Sequence, residues 1–370
     1  MPEQPTPRPD SSPRRRIGGR ITLSRRTATL SLLALAVAVL TAVAALLPVP
    51  YVVLGPGPTE NTLGTLGKTP LINIEGRTTY PAKGNLNLVT VLVSGGPGSH
   101  LDLFTALRGW IDPDVAVVPV ESVFAPDTTA DQVRQRNAEE MTLSQQDATV
   151  AALHHLGIPV TERVAVHAVL EGAPAEGRLK AGDIVLDVDG TKATNADVVR
   201  STISAHRPGD EVAITVQRDG KTLTERLTTI EDDGRTVVGF IPGALYTYPF
   251  TVEIDPGNIG GPSAGLMFSL GVIDKLTPGD LTGGAFVAGT GTINVDGEVG
   301  PIGSIPQKMI GAREAGARWF FVPTKNCAEA VGAAPDGLRL VKVSTLDDAL
   351  DSLEAISTGR GLDALPACSS

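Results

Sequence analysis

Ser263 stands among small residues in Gly260-Gly261-Pro262-Ser263-Ala264-Gly265, just ahead of the apolar run Leu266-Met267-Phe268-Ser269-Leu270-Gly271-Val272-Ile273. Glycines there permit a tight turn and a close approach of another backbone. The apolar run reads as a helix, which puts Ser263 at a helix start. The amides of Gly261 and Ala264 are then the expected donors to an oxyanion. Gly261-x-Ser263-x-Gly265 fits a nucleophile elbow, and it fits a structural turn before a buried helix equally well.

A serine nucleophile needs a base. The five histidines (His100, His154, His155, His167 and His206) all precede Ser263. That order excludes the α/β-hydrolase arrangement, in which the histidine follows the serine. A chymotrypsin-like order lacks its Gly-Asp-Ser-Gly type of nucleophile segment. Lysine is the alternative base. Downstream of Ser263 lie Lys275, Lys308, Lys325 and Lys342. Lys275 falls at a helix end and is expected in solvent, while Lys325 and Lys342 fall in polar loop or strand-edge settings. Lys308 belongs to a helix opened by Pro306 and closed by Gly316. On that helix it lies beside Ile305, Met309, Ala312 and Ala315, with Gln307 and Glu314 pointing elsewhere. A lysine held against apolar side chains loses hydration, its pKa falls, and its neutral amine can take the serine proton. A lysine snorkelling along the core edge fits the same spacing.

The elements that position these residues include a distinct middle segment. Val164 to Val169 alternates like a strand. Gly172-Ala173-Pro174-Ala175 follows, then Leu179-Lys180-Ala181-Gly182-Asp183-Ile184-Val185-Leu186-Asp187-Val188-Asp189-Gly190. A helix over Ala196–Ser204 precedes a hairpin, Glu211–Gln217 with Leu223–Ile230, turning at Asp219-Gly220. The segment resembles a PDZ domain of the bacterial protease type. That resemblance implies capture of a peptide as an added edge strand; a structural spacer is the alternative.

Three further segments carry a second resemblance. They are Gly260–Gly265, then Ala288-Gly289-Thr290-Gly291-Thr292-Ile293-Asn294-Val295-Asp296-Gly297-Glu298-Val299, then Pro301-Ile302-Gly303-Ser304-Ile305-Pro306-Gln307-Lys308. In order and spacing they resemble the proteolytic domain of the Lon (S16) serine peptidases. The resemblance implies Ser263 as nucleophile, Lys308 as general base and Thr290 as an auxiliary residue that positions the lysine. Trp319 to Pro323 and Asn326 continue the family's helix-strand-loop pattern. Two positions depart from it. Gly260 stands where the family usually carries an acidic residue, and Thr292 stands where it carries glutamate.

The expected fold is α+β: a Lon-type (S16) domain with an inserted PDZ domain, preceded by one transmembrane helix. Strand-like runs at Leu71–Ile74, Leu86–Val93 and Val115–Val120, with a helix over Ser144–Leu156, supply the early part of the S16 fold. The expected segments are a disordered basic tail at 1–26 and an anchor at 27–48. The first S16 part covers 50–160, the PDZ domain 161–232 and the second S16 part 235–356. A loose tail occupies 357–370.

The formal charge is −10, yet residues 1–26 hold seven arginines against Glu3 and Asp10, which leaves −15 for the rest. An acidic body argues against a nucleic-acid partner. Ala28 to Leu47 is an uncharged run long enough to span a bilayer. The flanking arginines place its N-terminal side in the cytoplasm and the catalytic body outside; a cleaved signal peptide ending near Ala42-Val43-Ala44 is the competing reading. Cys327 and Cys368 make no disulfide framework and need no catalytic role. No cofactor or metal is expected. Gly67-Lys68-Thr69 echoes a phosphate loop, but Thr62 stands where that motif needs glycine, so no ATPase module is read. Together these features describe an ATP-independent serine endopeptidase that takes unfolded or tagged chains through its PDZ domain. By resemblance it self-assembles, as a hexamer. A silent peptide-binding scaffold and a carboxy-terminal-processing Ser-Lys peptidase are the alternatives; the latter lacks the segments around Ser263 and Lys308.

Overall fold

The computed structural model describes residues 25–369. The expected disordered tail, residues 1–26, lies outside the described residues apart from Arg25 and Arg26. Eight α-helices occur among the described residues: α1 (Arg25–Leu46), α2 (Leu103–Ile111), α3 (Ala130–His155), α4 (Ala196–Ser204), α5 (Gly265–Leu276), α6 (Ile305–Glu314), α7 (Cys327–Gly332) and α8 (Leu346–Thr358). α1 is uncharged after Arg26, and its residues through Val43 are exposed. At 22 residues it is long and apolar enough to cross a bilayer.

Two six-stranded sheets hold most of the remaining strands among the described residues. The main sheet runs in the order Arg339–Val343, Trp319–Pro323, Phe286–Gly289, Asn85–Ser94, Tyr51–Asn61, Ala116–Pro119. Neighbours among the first four are parallel, and the last two join antiparallel. Central parallel strands are covered on both faces, which is why Phe320, Phe321 and Val322 form an unbroken apolar run, all buried. The sheet draws on both halves of the chain, because Asn85–Ser94 pairs directly with Phe286–Gly289.

Between those halves sits a second, antiparallel sheet in the order Lys221–Thr228, Glu211–Arg218, Ile184–Val188, Thr161–Val169, Phe240–Thr247. Its core holds Val164, Val166, Val185, Val199, Ile214 and Val216. Asp219 (φ 48°) and Gly220 (φ 76°) make the tight hairpin turn. Asp183, 2 % exposed, accepts two bonds of 2.6 Å from the Arg218 guanidinium. The aspartate of the Gly-Asp motif is thus a buried anchor of the sheet. Thr161 and Thr247 are paired neighbours, so the whole unit enters and leaves the main domain at one point.

The expected boundary at 232–235 shifts. Phe240–Thr247 belongs to the inserted sheet, and the chain rejoins the main domain at Thr251–Ile254, paired with Ile72–Glu75. α3 is longer than the expected Ser144–Leu156. It begins behind a capping box of Thr129 and Gln132. Its first half is polar and largely exposed, so it shows no apolar period, while Ala148, Ala151 and Ala152 bury against α5.

The tail is fastened, not loose. Cys368 is disulfide-bonded to Cys327, 41 residues earlier, and the Lys342 amide donates to the Pro366 carbonyl at 2.8 Å. Closing a loop of that length restricts the unfolded chain by roughly 3–4 kcal/mol. Replacing both cysteines by serine is expected to lower Tm clearly, and an unchanged melting curve would show that the bridge does not form.

Candidate active site

Three elements converge on Ser263. The first is its own turn. Gly261 has φ +87°, a region that favours glycine, and its amide donates to the Asn137 carbonyl of α3 at 3.0 Å. The Ser144 hydroxyl, also from α3, donates to the Pro262 carbonyl at 3.1 Å. A Cβ at Gly260 would lie 2.9 Å from the Asn137 Cβ, so the acidic residue of the family pattern has no room at this position. The second element is the strand end at Thr290-Gly291. The Thr290 hydroxyl and the Gly291 amide both donate to the Ser263 carbonyl at 2.9 Å, and the Leu266 amide returns a bond to the Gly291 carbonyl. The nucleophile turn is therefore held from both sides.

The third element carries Lys308. α6 starts from Ser304, which is in the left-handed region (φ 58°), with Pro306 in its first turn. Backbone in that region is strained for a non-glycine residue and needs outside support. Asn326, buried, gives it by bonding both the amide and the carbonyl of Ile302, at 2.9 and 2.8 Å. Lys308 is 5 % exposed among Ile305, Met309 and Ala312, which are themselves buried. Gln307 is buried too, against expectation, while Ala315 is exposed. The Lys308 amine donates to Thr290 Oγ1 at 3.3 Å, its one side-chain bond among the described residues. Burial lowers its pKa from 10.5 to about 8. Lys275, expected in solvent, is half-buried and also lowered by burial, but it lies at the far end of α5.

Ser263, Ala264 and Lys308 line one groove of about 1000 Å³, along with Thr90, Val91 and Val118. No hydrogen bond joins Ser263 Oγ to Lys308 Nζ in this structure; the link runs through Thr290, and such bonds tighten when substrate binds. One expectation needs correction. The Gly261 amide is committed to Asn137, which leaves the Ser263 and Ala264 amides, neither donating elsewhere among the described residues, as donors beside the nucleophile.

Asn137 and Ser144 carry no sign of these roles in the sequence. They lie more than 100 residues upstream, Asn137 in the polar half of α3 and Ser144 at the start of the expected helix, and no local motif marks them. For Asn326 the family pattern gave its place but not its hydrogen bonds.

Comparisons with known proteins find two family matches in this chain. Residues 254–355 match the family model of the Lon protease (S16) C-terminal proteolytic domain, and residues 135–229 match that of the PDZ domain. The chain thus contains a Lon-type proteolytic domain and a PDZ domain. Lon protease 2 of Bacillus subtilis is 34% identical over 102 residues, covering 26% of this chain and 18% of that protein. A Lon protease of Phenylobacterium zucineum is 27% identical over 153 residues, covering 40% of this chain and 19% of that protein. The chain therefore spans less than a fifth of the length of these relatives. A crystal structure of the PDZ domain of an SdrC-like protein from Listeria monocytogenes covers 22% of this chain and 86% of its own, at 23% identity and a TM-score of 0.21.

Proposed function

We propose that this chain is an ATP-independent serine endopeptidase with a Ser263–Lys308 dyad, anchored by α1 with its catalytic body outside the cytoplasm. The observation that carries the reading is a lysine buried in an apolar setting, sharing a groove with Ser263 and tied to the serine's turn through Thr290. With a pKa of about 8, roughly a tenth of Lys308 is neutral at pH 7. That neutral amine takes the Ser263 proton as Oγ bonds to a peptide carbonyl carbon. The oxyanion so formed is held by the Ser263 and Ala264 amides. The C–N bond then breaks, the lysine returns the proton to the leaving amine, and water repeats the sequence on the acyl-serine ester.

Placement outside the cytoplasm is supported by the Cys327–Cys368 bridge, since such bonds persist in oxidising compartments. Substrate recognition is assigned to the PDZ unit. The outer edge of Phe240–Thr247 carries no partner strand among the described residues. A cavity of about 1020 Å³ begins at Leu245 and Tyr246 on that strand and reaches Ile259 and Gly260, which also line the groove of Ser263. A chain held on the edge strand is led along this path to the nucleophile.

The test compares the full chain with Thr290→Val on an unfolded protein without nucleotide. Valine keeps the shape but removes both the bond to the Ser263 carbonyl and the acceptor of the lysine. Wild type is expected to cleave without ATP, and Thr290→Val to lose about 10–100-fold in kcat with little change in KM. A wild-type chain that binds peptides and cleaves nothing, with or without ATP, would leave the scaffold reading in its place.

A further inference from the structure

We infer that α2 lies in the outer surface of the phospholipid bilayer beside α1, so that the catalytic body is held against the membrane at a fixed tilt. The inference rests on the anchoring proposed above. Its first support is that α2 faces the wrong way for a helix of a fully hydrated domain. Its buried residues are the small Ala106 and Gly109. A Cβ at Gly109 would lie 2.7 Å from Val117, so the helix backbone presses directly on the sheet. The large apolar side chains point outward instead: Phe104 is 45 % exposed, Leu107 42 %, Trp110 55 % and Ile111 84 %. Spaced at i, i+3, i+6 and i+7, they share one side of a nine-residue helix. Burying such side chains yields about 1.5–3 kcal/mol each, and water does not supply that.

The second support is the path of the chain. Pro48 and Val49, just past the end of α1, pair antiparallel with Asp102 and Leu101, just before α2. Asp102 is the cap of α2, accepting from the Thr105 amide at 3.0 Å. The point where the chain leaves a spanning α1 is therefore tied to the first turn of α2, and the two helices pack together. Tyr51 meets Trp110 edge-on with ring centroids 5.6 Å apart. Tyrosine and tryptophan are the residues that settle at the headgroup level, and helices with one apolar side lie there about 5–10 Å deep.

The placement bears on the site. Val53 and Val117 face Gly109 of α2, while Leu54, Ala116 and Val118 of the same two strands line the groove of Ser263. Strand alternation thus puts lipid contact and groove on opposite faces of one sheet edge. The groove therefore lies one helix layer and one sheet layer from the bilayer, which suits polypeptide segments that emerge at the membrane surface.

The experiment uses the full chain carrying Trp319→Phe, so that Trp110 is the single tryptophan, reconstituted in phosphatidylcholine vesicles and purified by carbonate-washed flotation. With lipids brominated high on the acyl chain, Trp110 is expected to lose most of its emission, while aqueous iodide leaves it unchanged. Adding Phe104→Ser, Leu107→Ser and Ile111→Ser is expected to keep flotation and to reverse both quenching results. A chain that floats with Trp110 open to iodide and untouched by bromolipid overturns the inference and leaves the anchor standing. Shielding of Trp110 from both quenchers, with cross-links between copies, assigns the face to a second copy and also overturns it. A chain that does not float refutes the anchor, and the inference falls with it.

Discussion

Ser263→Ala is expected to abolish peptide hydrolysis, by about 10⁴-fold or more, while leaving the fold untouched. The serine's structural bonds run through its carbonyl, which accepts from Thr290 and Gly291, and alanine keeps that carbonyl. The hydroxyl itself bonds to nothing among the described residues. A serine kept for turn geometry would tolerate its loss. Steady-state cleavage of an unfolded protein, with circular dichroism to confirm equal folding, makes the comparison. Residual activity within a few-fold of wild type would remove Ser263 from the chemistry.

Lys308→Met is expected to be as damaging to activity, by about 10³-fold or more, and yet to stabilise the protein. Methionine fills a similar apolar volume among Ile305, Met309 and Ala312 without a charge to bury. Below pH 8 the amine is protonated in both folded and unfolded chains, and burying that charge costs on the order of 3 kcal/mol. Between about pH 8 and 10.5 the unfolded state holds more protons, so wild-type stability rises with pH through that window. The substitution removes this rise and raises Tm at pH 7. The same group governs the rate: kcat/KM of the wild type should climb about tenfold per unit below pH 8 and level off above it. A flat profile from pH 6 to 10 in a chemistry-limited assay, or a Met variant less stable than wild type, would contradict the role given to Lys308.

What the sequence disclosed, and what it withheld, follows from the range of the interactions. Ser263, Thr290 and Lys308 sit in short segments whose glycines, prolines and apolar neighbours announce a turn, a strand end and a helix, and the structure brings the three together. The inserted unit was legible for the same reason, since Gly182-Asp183 and Asp219-Gly220 mark local geometry. The edge strand Phe240–Thr247 was not, because Pro242 and Gly243 interrupt any strand pattern and its partner lies some 80 residues earlier. Asn137 and Ser144 act across the whole inserted unit, Asn137 from a polar stretch of α3 without a periodic signal, and neither contact is marked by its neighbours in sequence. Two isolated cysteines carry no pairing information until α7 and the tail are folded together. α2 was not read from the sequence at all, and the packed Gly109 shows which of its sides is the outer one.

Pairing of Asn85–Ser94 with Phe286–Gly289 also sets the order in which the growing chain can mature. The first segment must wait for the second, with the inserted unit synthesised in between. That unit is continuous from Thr161 to Thr247 and can form as soon as it appears, bringing its two ends together. Doubling a loop changes the entropy of closure by only about 0.6 kcal/mol, so this early step does little for final stability. Its effect is on timing: long-range strand pairing is slow, and an exposed strand edge invites wrong partners while it waits. Both Ser263 and Lys308 come after the inserted unit, so the nascent chain holds a folded PDZ unit before it holds the two residues proposed to cut.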